Sequence, residues 1–231
     1  MCENITLLAD NIIKLDFYGK DHVRYERKIE VPENVYNNLS IFMNGKHSND
    51  NLFNLIKSND VNNYLQDFMK GLSAKVFRTY NASSLFQTEL DKITKISNIS
   101  DILDAFTKAN IQVSYLCNHQ KKISKSFNNQ ISVINDKIQE LKNKLNDGSK
   151  LSKDKKKKIK DKITILNNKK HIKSELKNLA LNTSKVNYID PRITIAFAKK
   201  FNIPIEKLLS KSLINKFQWA MSVDKDYSFL K

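Results

Sequence analysis

Tyr188 stands directly ahead of a helix start. Asp190-Pro191 supplies an N-cap carboxylate and then proline at the first helical position, which fixes the phenol's place outside any apolar stripe. A phenol, with an ordinary pKa of about 10, becomes a useful nucleophile only where neighbouring positive charge favours its phenolate. Basic residues of suitable type occur elsewhere in the chain. Lys75 and Arg78 are three apart in an amphipathic stretch and share a helical face. Arginine grips two phosphate oxygens with one planar fork and keeps its charge. Lys20, in Gly19-Lys20-Asp21, sits where a tight turn would hold out a long flexible cation. His119 follows an apolar helix within Cys117-Asn118-His119-Gln120. Taken singly these are ordinary features: a half-buried tyrosine, solvated basic side chains and a satisfied core histidine. Cys117 and His119 have no second Cys/His pair at ligand spacing, which argues against zinc. The four glycines form no phosphate-binding loop, and the acidic residues form no evident metal cluster.

The elements that must position these residues can be read from periodicity. Residues 12–18 and 22–31 are rich in β-branched and aromatic residues and predict a hairpin around Gly19-Lys20-Asp21. Pro32 opens a helix to about Asn44, a shorter one is expected near 51–57, and Asp60 is expected to cap a third to about Lys70, ended by Gly71. The next helix, about 73–93, should turn Val76, Phe77, Leu85 and Phe86 to the core and Lys75 and Arg78 away from it. Ser100 or Asp101 begins another, carrying Ile102, Leu103, Phe106, Ile111 and Tyr115. Three short helices are expected after Tyr188, at about 191–201, 204–209 and 212–223, with Ile193, Phe197, Leu208, Leu209, Leu213, Phe217 and Trp219 among their core residues.

Between His119 and Tyr188 the composition changes abruptly. Residues 121–173 hold 17 lysines, no arginine and five acidic residues, so +12 of the chain's formal +16 lies there. Phe127, Ile131, Ile134, Ile138, Leu141 and Leu145 recur at spacings of four and three, a coiled-coil seam. Asn146-Asp147-Gly148-Ser149 breaks it; Ile159, Ile163 and Leu166 resume it, and Ile172, Leu176 and Leu179 continue after a phase slip. Two such stripes around one turn predict an antiparallel helical hairpin. The expected fold is therefore mainly α with a small N-terminal antiparallel β-hairpin or sheet. Its parts would be a helical core segment (1–120), a basic coiled-coil linker (121–173) and a small helical C-terminal segment (174–231). The positive excess points to a polyanionic partner. Two cysteines make no disulfide framework and fit a reducing compartment. No signal peptide and no run of about 18 apolar residues is evident, so no membrane-spanning helix is expected.

Four ordered stretches carry a family resemblance: Gly19-Lys20-Asp21, Ala74 to Ser83 (AKVFRTYNAS), Cys117 to Gln120, and Ser184 to Arg192 (SKVNYIDPR). Together they resemble the eukaryotic nuclear type IB DNA topoisomerases, in order and over nearly the whole chain. The resemblance implies that Tyr188 attacks a DNA phosphodiester, forms a 3′-phosphotyrosine and releases a 5′ hydroxyl, which later attacks back. Bond energy is kept in the adduct, so the resemblance implies neither ATP, metal nor other cofactor. It further implies that Lys20 protonates the leaving 5′ oxygen and that Arg78 holds the scissile phosphate. His119 would hydrogen-bond a non-bridging oxygen, with Lys75, Gln120, Thr183 and Asn187 on nearby DNA. Double-stranded DNA is the implied partner and the nucleus the implied location; Lys153 and Lys155 to Lys158 also fit a nuclear import signal.

The family uses a second active-site arginine, upstream of the first strand, and Met1-Cys2 matches residues downstream of it. The expectation is therefore four of five catalytic positions, with the upstream part of the enzyme as a further partner. Two other readings stand beside this one. The chain is a DNA-binding coiled-coil module without chemistry, or a tyrosine recombinase. The second is opposed by Lys75, where recombinases usually carry histidine, and by the long basic hairpin.

Overall fold

A computed structural model describes residues 1–19, 22–94, 98–147 and 152–230. The chain forms two compact units, residues 1–78 and 79–231.

In the first unit, β1 (Ile5–Leu7), β2 (Ile12–Tyr18) and β3 (Arg24–Glu30) make an antiparallel sheet in that order. The β2–β3 pairing sets Ile13 opposite Ile29 and Phe17 opposite Tyr25, with the latter rings 5.1 Å apart. Cys2, Ile13, Leu39 and Leu52 form the buried core beneath the sheet. On the other face the register sets Lys14 against Lys28 and Asp16 against Glu26, like charges directly opposed. Diagonal pairs offset them. Arg24 donates to both oxygens of Asp16 at 2.8 and 2.6 Å, and Lys14 reaches Glu26 at 2.8 Å. Arg24 holds the Asp16 carboxyl down to about 2.

Helices α1 (Glu33–Met43) and α2 (Ser58–Phe68) complete this unit. The short helix expected near 51–57 is absent from the described structure. The Lys46 ammonium gathers the carbonyls of Asn51 and Leu52 and the side chain of Asn54, and an ammonium inside a turn replaces helical hydrogen bonds there. Asp60 is not the N-cap of α2; it lies at the third helical position and accepts the N–H of Lys57. Gly71 adopts φ +82° after the helix has ended, a conformation open to glycine without steric cost.

The residues of α3 (Ala74–Asp91) run across the division between the units. Val76 and Phe77 are 38% and 51% exposed, so neither is a core residue. The buried stripe of α3 is Ala82, Phe86 and Leu90, at four-residue spacing. In the second unit this stripe packs with α4 (Ile99–Leu116) and α8 (Pro191–Lys200) around a chain of rings. Phe86 to Phe106 is 5.3 Å, and Phe106 to Phe197 is 5.6 Å. Asn98, not Ser100 or Asp101, caps α4 by accepting the N–H of Asp101.

Consecutive helices α5 (Phe127–Asn146) and α6 (Lys153–Glu175) pack on each other as the expected antiparallel pair. Phe127 and Gln130, at the start of α5, line one cleft with Ile165, Lys169 and Ile172 near the end of α6. Ile134, Ile138, Ile172 and Leu179 are the buried seam residues. The rest of the seam is half-buried, because two helices alone leave each stripe open along one side. The expected break covers Gly148 and Ser149, which lie outside the described residues.

Beyond Tyr188, Asp190 accepts the N–H of Arg192 and Pro191 is the first residue of α8, as the sequence predicts. The other two expected C-terminal helices are shorter. Ile205–Lys207 is a single 3₁₀ turn, and α9 spans only Lys211–Lys216. Trp219, expected in the core, is 61% exposed; the Arg192 guanidinium lies 6.0 Å from its ring.

Candidate active site

His119 owes its position to the end of α4. Asn118 takes φ +50°, a left-handed turn that asparagine tolerates better than most residues. The Asn118 N–H then bonds Tyr115 C=O at 3.1 Å, and the His119 N–H bonds Ser114 C=O at 2.9 Å. These are the two closing bonds of a Schellman motif. Past the turn the backbone of Gln120 pairs with that of Leu179. Flanking bonds run from Lys121 N–H to Asn178 C=O and from Ala180 N–H to His119 C=O, both at 2.8 Å. Both ends of the basic hairpin are thus tied at the residue that carries the imidazole.

Tyr188 lies just past α7 (Leu181–Asn187), at its C-cap, half-buried. The N–H groups of Tyr188 and Ile189 both bond Ser184 C=O, at 2.9 and 3.0 Å. From the other side Ser83 of α3 donates its hydroxyl to Tyr188 C=O at 3.1 Å and accepts Asp190 N–H at 3.0 Å. Ile189, 5% exposed, anchors the segment in the main core between these two hydrogen bonds.

The two aromatic side chains meet. The imidazole of His119 and the phenol ring of Tyr188 stack with centroids 5.2 Å apart and planes 27° apart. His119 Nδ1 lies 2.7 Å from Ser184 Oγ, which lies 3.2 Å from Ser114 Oγ. Both serines are 0% exposed, and His119 is 8% exposed. A tyrosine hydroxyl and a buried, hydrogen-bonded imidazole are therefore held side by side on three separate segments. That arrangement can present an oxygen nucleophile and a hydrogen-bond donor to one anionic group.

The remaining candidates fall in two places. Gln120 and Asn187 flank the pair in the second unit. Gln120 donates to Asn118 Oδ1 at 2.7 Å, and Asn187 donates to Thr183 C=O at 3.2 Å. Thr183 is half-buried on α7. Lys75 and Arg78 are exposed residues at the start of α3 and belong to the first unit. Lys20 lies outside the described residues.

Two basic residues of the tyrosine stretch have structural partners. Lys185 turns inward: its ammonium donates to Leu208 C=O at 3.0 Å and lies 5.1 Å from the Phe106 ring, and burial pushes its pKa down. Arg192 is forked onto Asp190, which raises its pKa, and lies over Tyr227 at 4.8 Å. Ser83 and Ser184 fall within the sequence motifs without standing out there as functional, and Ser114 lies outside them. Serine is common at solvated positions, so its signal here is only spacing: Ser114 precedes His119 by five residues and Ser184 precedes Tyr188 by four. Among the described residues no group of three or more His, Cys, Asp or Glu side chains is placed to hold a metal ion. No helix there is long and apolar enough to cross a membrane.

Comparison with known proteins bears on this geometry. Residues 1–154 match the family model described as the catalytic core of eukaryotic DNA topoisomerase I, and residues 160–229 match that of a C-terminal topoisomerase domain. The chain is 38% identical over 252 residues to DNA topoisomerase 1 alpha of Arabidopsis thaliana, covering 98% of this chain and 28% of the relative. It is 39% identical over 234 residues to DNA topoisomerase 1 of Caenorhabditis elegans, covering 94% and 29%. Against DNA topoisomerase 1 of Homo sapiens it is 38% identical over 242 residues, covering 94% and 32%. The chain thus spans roughly 30% of the length of the curated relatives it matches.

Proposed function

The chain belongs to the eukaryotic DNA topoisomerase I family, and we propose that it carries the nucleophilic centre of a type IB DNA topoisomerase. Tyr188 attacks a backbone phosphate of duplex DNA, forming a 3′-phosphotyrosine and expelling the 5′ oxygen. Lys20 gives that oxygen its proton. In the reverse step the 5′ hydroxyl attacks the phosphotyrosine and Tyr188 leaves. The observation that carries this reading is the stack of His119 on Tyr188, with the imidazole held by Ser184.

The chemistry asked of each group is modest. In-line attack by the phenol leaves extra negative charge on the non-bridging oxygens. A guanidinium at Arg78 and a donor at His119 meet that charge, and one such donor at a comparable oxyanion site is worth about 3–4 kcal/mol. Lys75, Gln120, Thr183 and Asn187 hold the DNA around the cleaved bond. Residues 1–120, 121–173 and 174–231 serve as core segment, basic linker and tyrosine-bearing segment. The reading also assigns the protein to the nucleus, where its substrate lies.

The experiment is covalent trapping on a nicked DNA substrate whose short fragment, bearing the released 5′ hydroxyl, diffuses away after cleavage. The 231-residue chain should form a protease-sensitive 3′ adduct that Tyr188→Phe eliminates, while DNA affinity stays within a few-fold because binding to the phosphate backbone is electrostatic. An adduct that survives Tyr188→Phe refutes the assignment.

A further inference from the structure

Three side chains buried together have two hydroxyl protons to place. Ser114 Oγ lies 3.2 Å from Ser184 Oγ, and Ser184 Oγ lies 2.7 Å from His119 Nδ1. Among the described residues Ser184 is the only partner of the Ser114 hydroxyl, while Ser184 also reaches the imidazole. Both serines are 0% exposed, so neither O–H can turn to solvent.

Two directions are conceivable along this row. If Nδ1 carried the imidazole proton it would donate to Ser184, Ser184 would donate to Ser114, and the Ser114 O–H would have no acceptor. A buried, unsatisfied hydroxyl costs roughly 1–3 kcal/mol. If instead Ser114 donates to Ser184 and Ser184 donates to Nδ1, each proton has an acceptor and the row is complete. Only the second direction satisfies the three groups together. It leaves Nδ1 as an acceptor and puts the neutral imidazole's proton on Nε2.

We infer that Ser184, backed by Ser114, is a positioning residue that holds neutral His119 in its Nε2–H tautomer. His119 then presents a donor to a phosphate oxygen without having to be protonated. The inference rests on the reading of His119 as a phosphate ligand. The opposite tautomer would offer a lone pair from Nε2, which repels a phosphate oxygen. The main chain supports the same arrangement, because Ser114 C=O receives His119 N–H and Ser184 C=O receives Tyr188 N–H. Each serine thereby fixes one of the two aromatic residues through its backbone, while the Ser184 side chain holds the imidazole and that of Ser114 acts through Ser184.

Two measurements test this. Nitrogen NMR on histidine-labelled protein without DNA, with the His119 signals assigned through a His119→Gln variant, reports which ring nitrogen is protonated at about pH 8. Protonated Nε2 and bare Nδ1 are expected, with a mixture in Ser184→Ala and the original pattern in Ser184→Thr. Protonated Nδ1 in the unmodified chain overturns the proposal. The second measurement is single-turnover cleavage of the nicked substrate, taken as the ratio of Ser184→Ala to unmodified rate across pH. Loss of one hydrogen bond predicts a drop of about 5- to 10-fold at about pH 8. The ratio should return toward unity at any pH low enough to protonate the imidazole, because the imidazolium carries a proton on Nε2 in either variant. A ratio that is constant with pH, or a defect shared by Ser184→Thr, means that Ser184 acts only through packing and overturns the proposal. If the unmodified chain does not cleave at all, the proposed function fails, whereas the NMR result still decides the tautomer.

Discussion

Ser83 and Tyr188, 105 residues apart, are joined by a hydrogen bond from the Ser83 hydroxyl to the tyrosine's carbonyl at 3.1 Å. The same hydroxyl oxygen accepts the N–H of Asp190, so one buried hydroxyl spans the residue on either side of Ile189. It fixes the backbone of Tyr188 to α3 and orients the start of α8.

Ser83→Ala is expected to destabilise the protein by about 1–3 kcal/mol, since a partly buried C=O and a partly buried N–H are left without their partner together. Ser84 is the control. Its hydroxyl oxygen is buried with no hydrogen-bond partner among the described residues, so Ser84→Ala should change stability by no more than about 0.5 kcal/mol or raise it. Urea unfolding of the two variants decides the matter. Equal effects from the adjacent serines mean that the bridge across the tyrosine contributes nothing.

That contrast marks where the sequence was legible. Asp190-Pro191 announced a helix start because the capping carboxylate and the proline act within one turn of chain, and α8 begins there. The seam of the basic hairpin was legible for a similar reason, since its period repeats over many turns. Local signals failed where a distant or non-helical partner decided the outcome. The helix expected near 51–57 was displaced by the Lys46 ammonium, and Trp219 was drawn out beside Arg192. Strand β1 was missed because three residues are too few to display an alternation. At the candidate site, Tyr188 and His119 were readable from the motifs around them. Ser83, Ser114 and Ser184 were not, because their roles arise from hydrogen bonds made across 65 to 107 residues of chain.

Lys20→Ala should slow cleavage of ordinary DNA far more than cleavage of DNA carrying a 5′-bridging phosphorothiolate. A thiolate leaves without a proton, so removing the general acid matters little there, whereas an alkoxide needs one. Single-turnover rates on the two substrates provide the check. Equal losses on both would show that Lys20 orients the phosphate and does not protonate the leaving group.

Lys185 makes a pH-dependent contribution whose sign follows from burial. Its folded pKa is lowered while the unfolded value stays near 10.5, so between the two the unfolded chain binds more protons. Stability from this group therefore rises with pH across that window and is penalised below it, where a charged ammonium must be buried. Lys185→Met, which fills similar volume and removes the charge, should flatten the rise below about pH 10.5. Urea midpoints measured across that range give the test. An equally steep rise in the variant assigns the pH dependence to other groups.

The basic hairpin offers the last test, because it separates charge from fold. Helix α6 contains 23 residues, a length of about 35 Å, and its first two turns include the run Lys155 to Lys158. Its seam residues Ile159, Ile163 and Leu166 are half-buried, whereas three of those four lysines are exposed. Replacing all four lysines by glutamine should leave the helical pair intact, since glutamine matches lysine in helix propensity. If the lysines approach duplex DNA, each phosphate left without its lysine lowers the slope of log affinity against log salt by about 0.9, giving a fall of up to about 3.6. Affinity should weaken most at low salt, and the NMR signature of His119 should not move, because none of the four belongs to the site. DNA-binding isotherms over a series of salt concentrations measure the slope directly. An unchanged slope would mean that these lysines do not reach the DNA, leaving binding to residues nearer Tyr188.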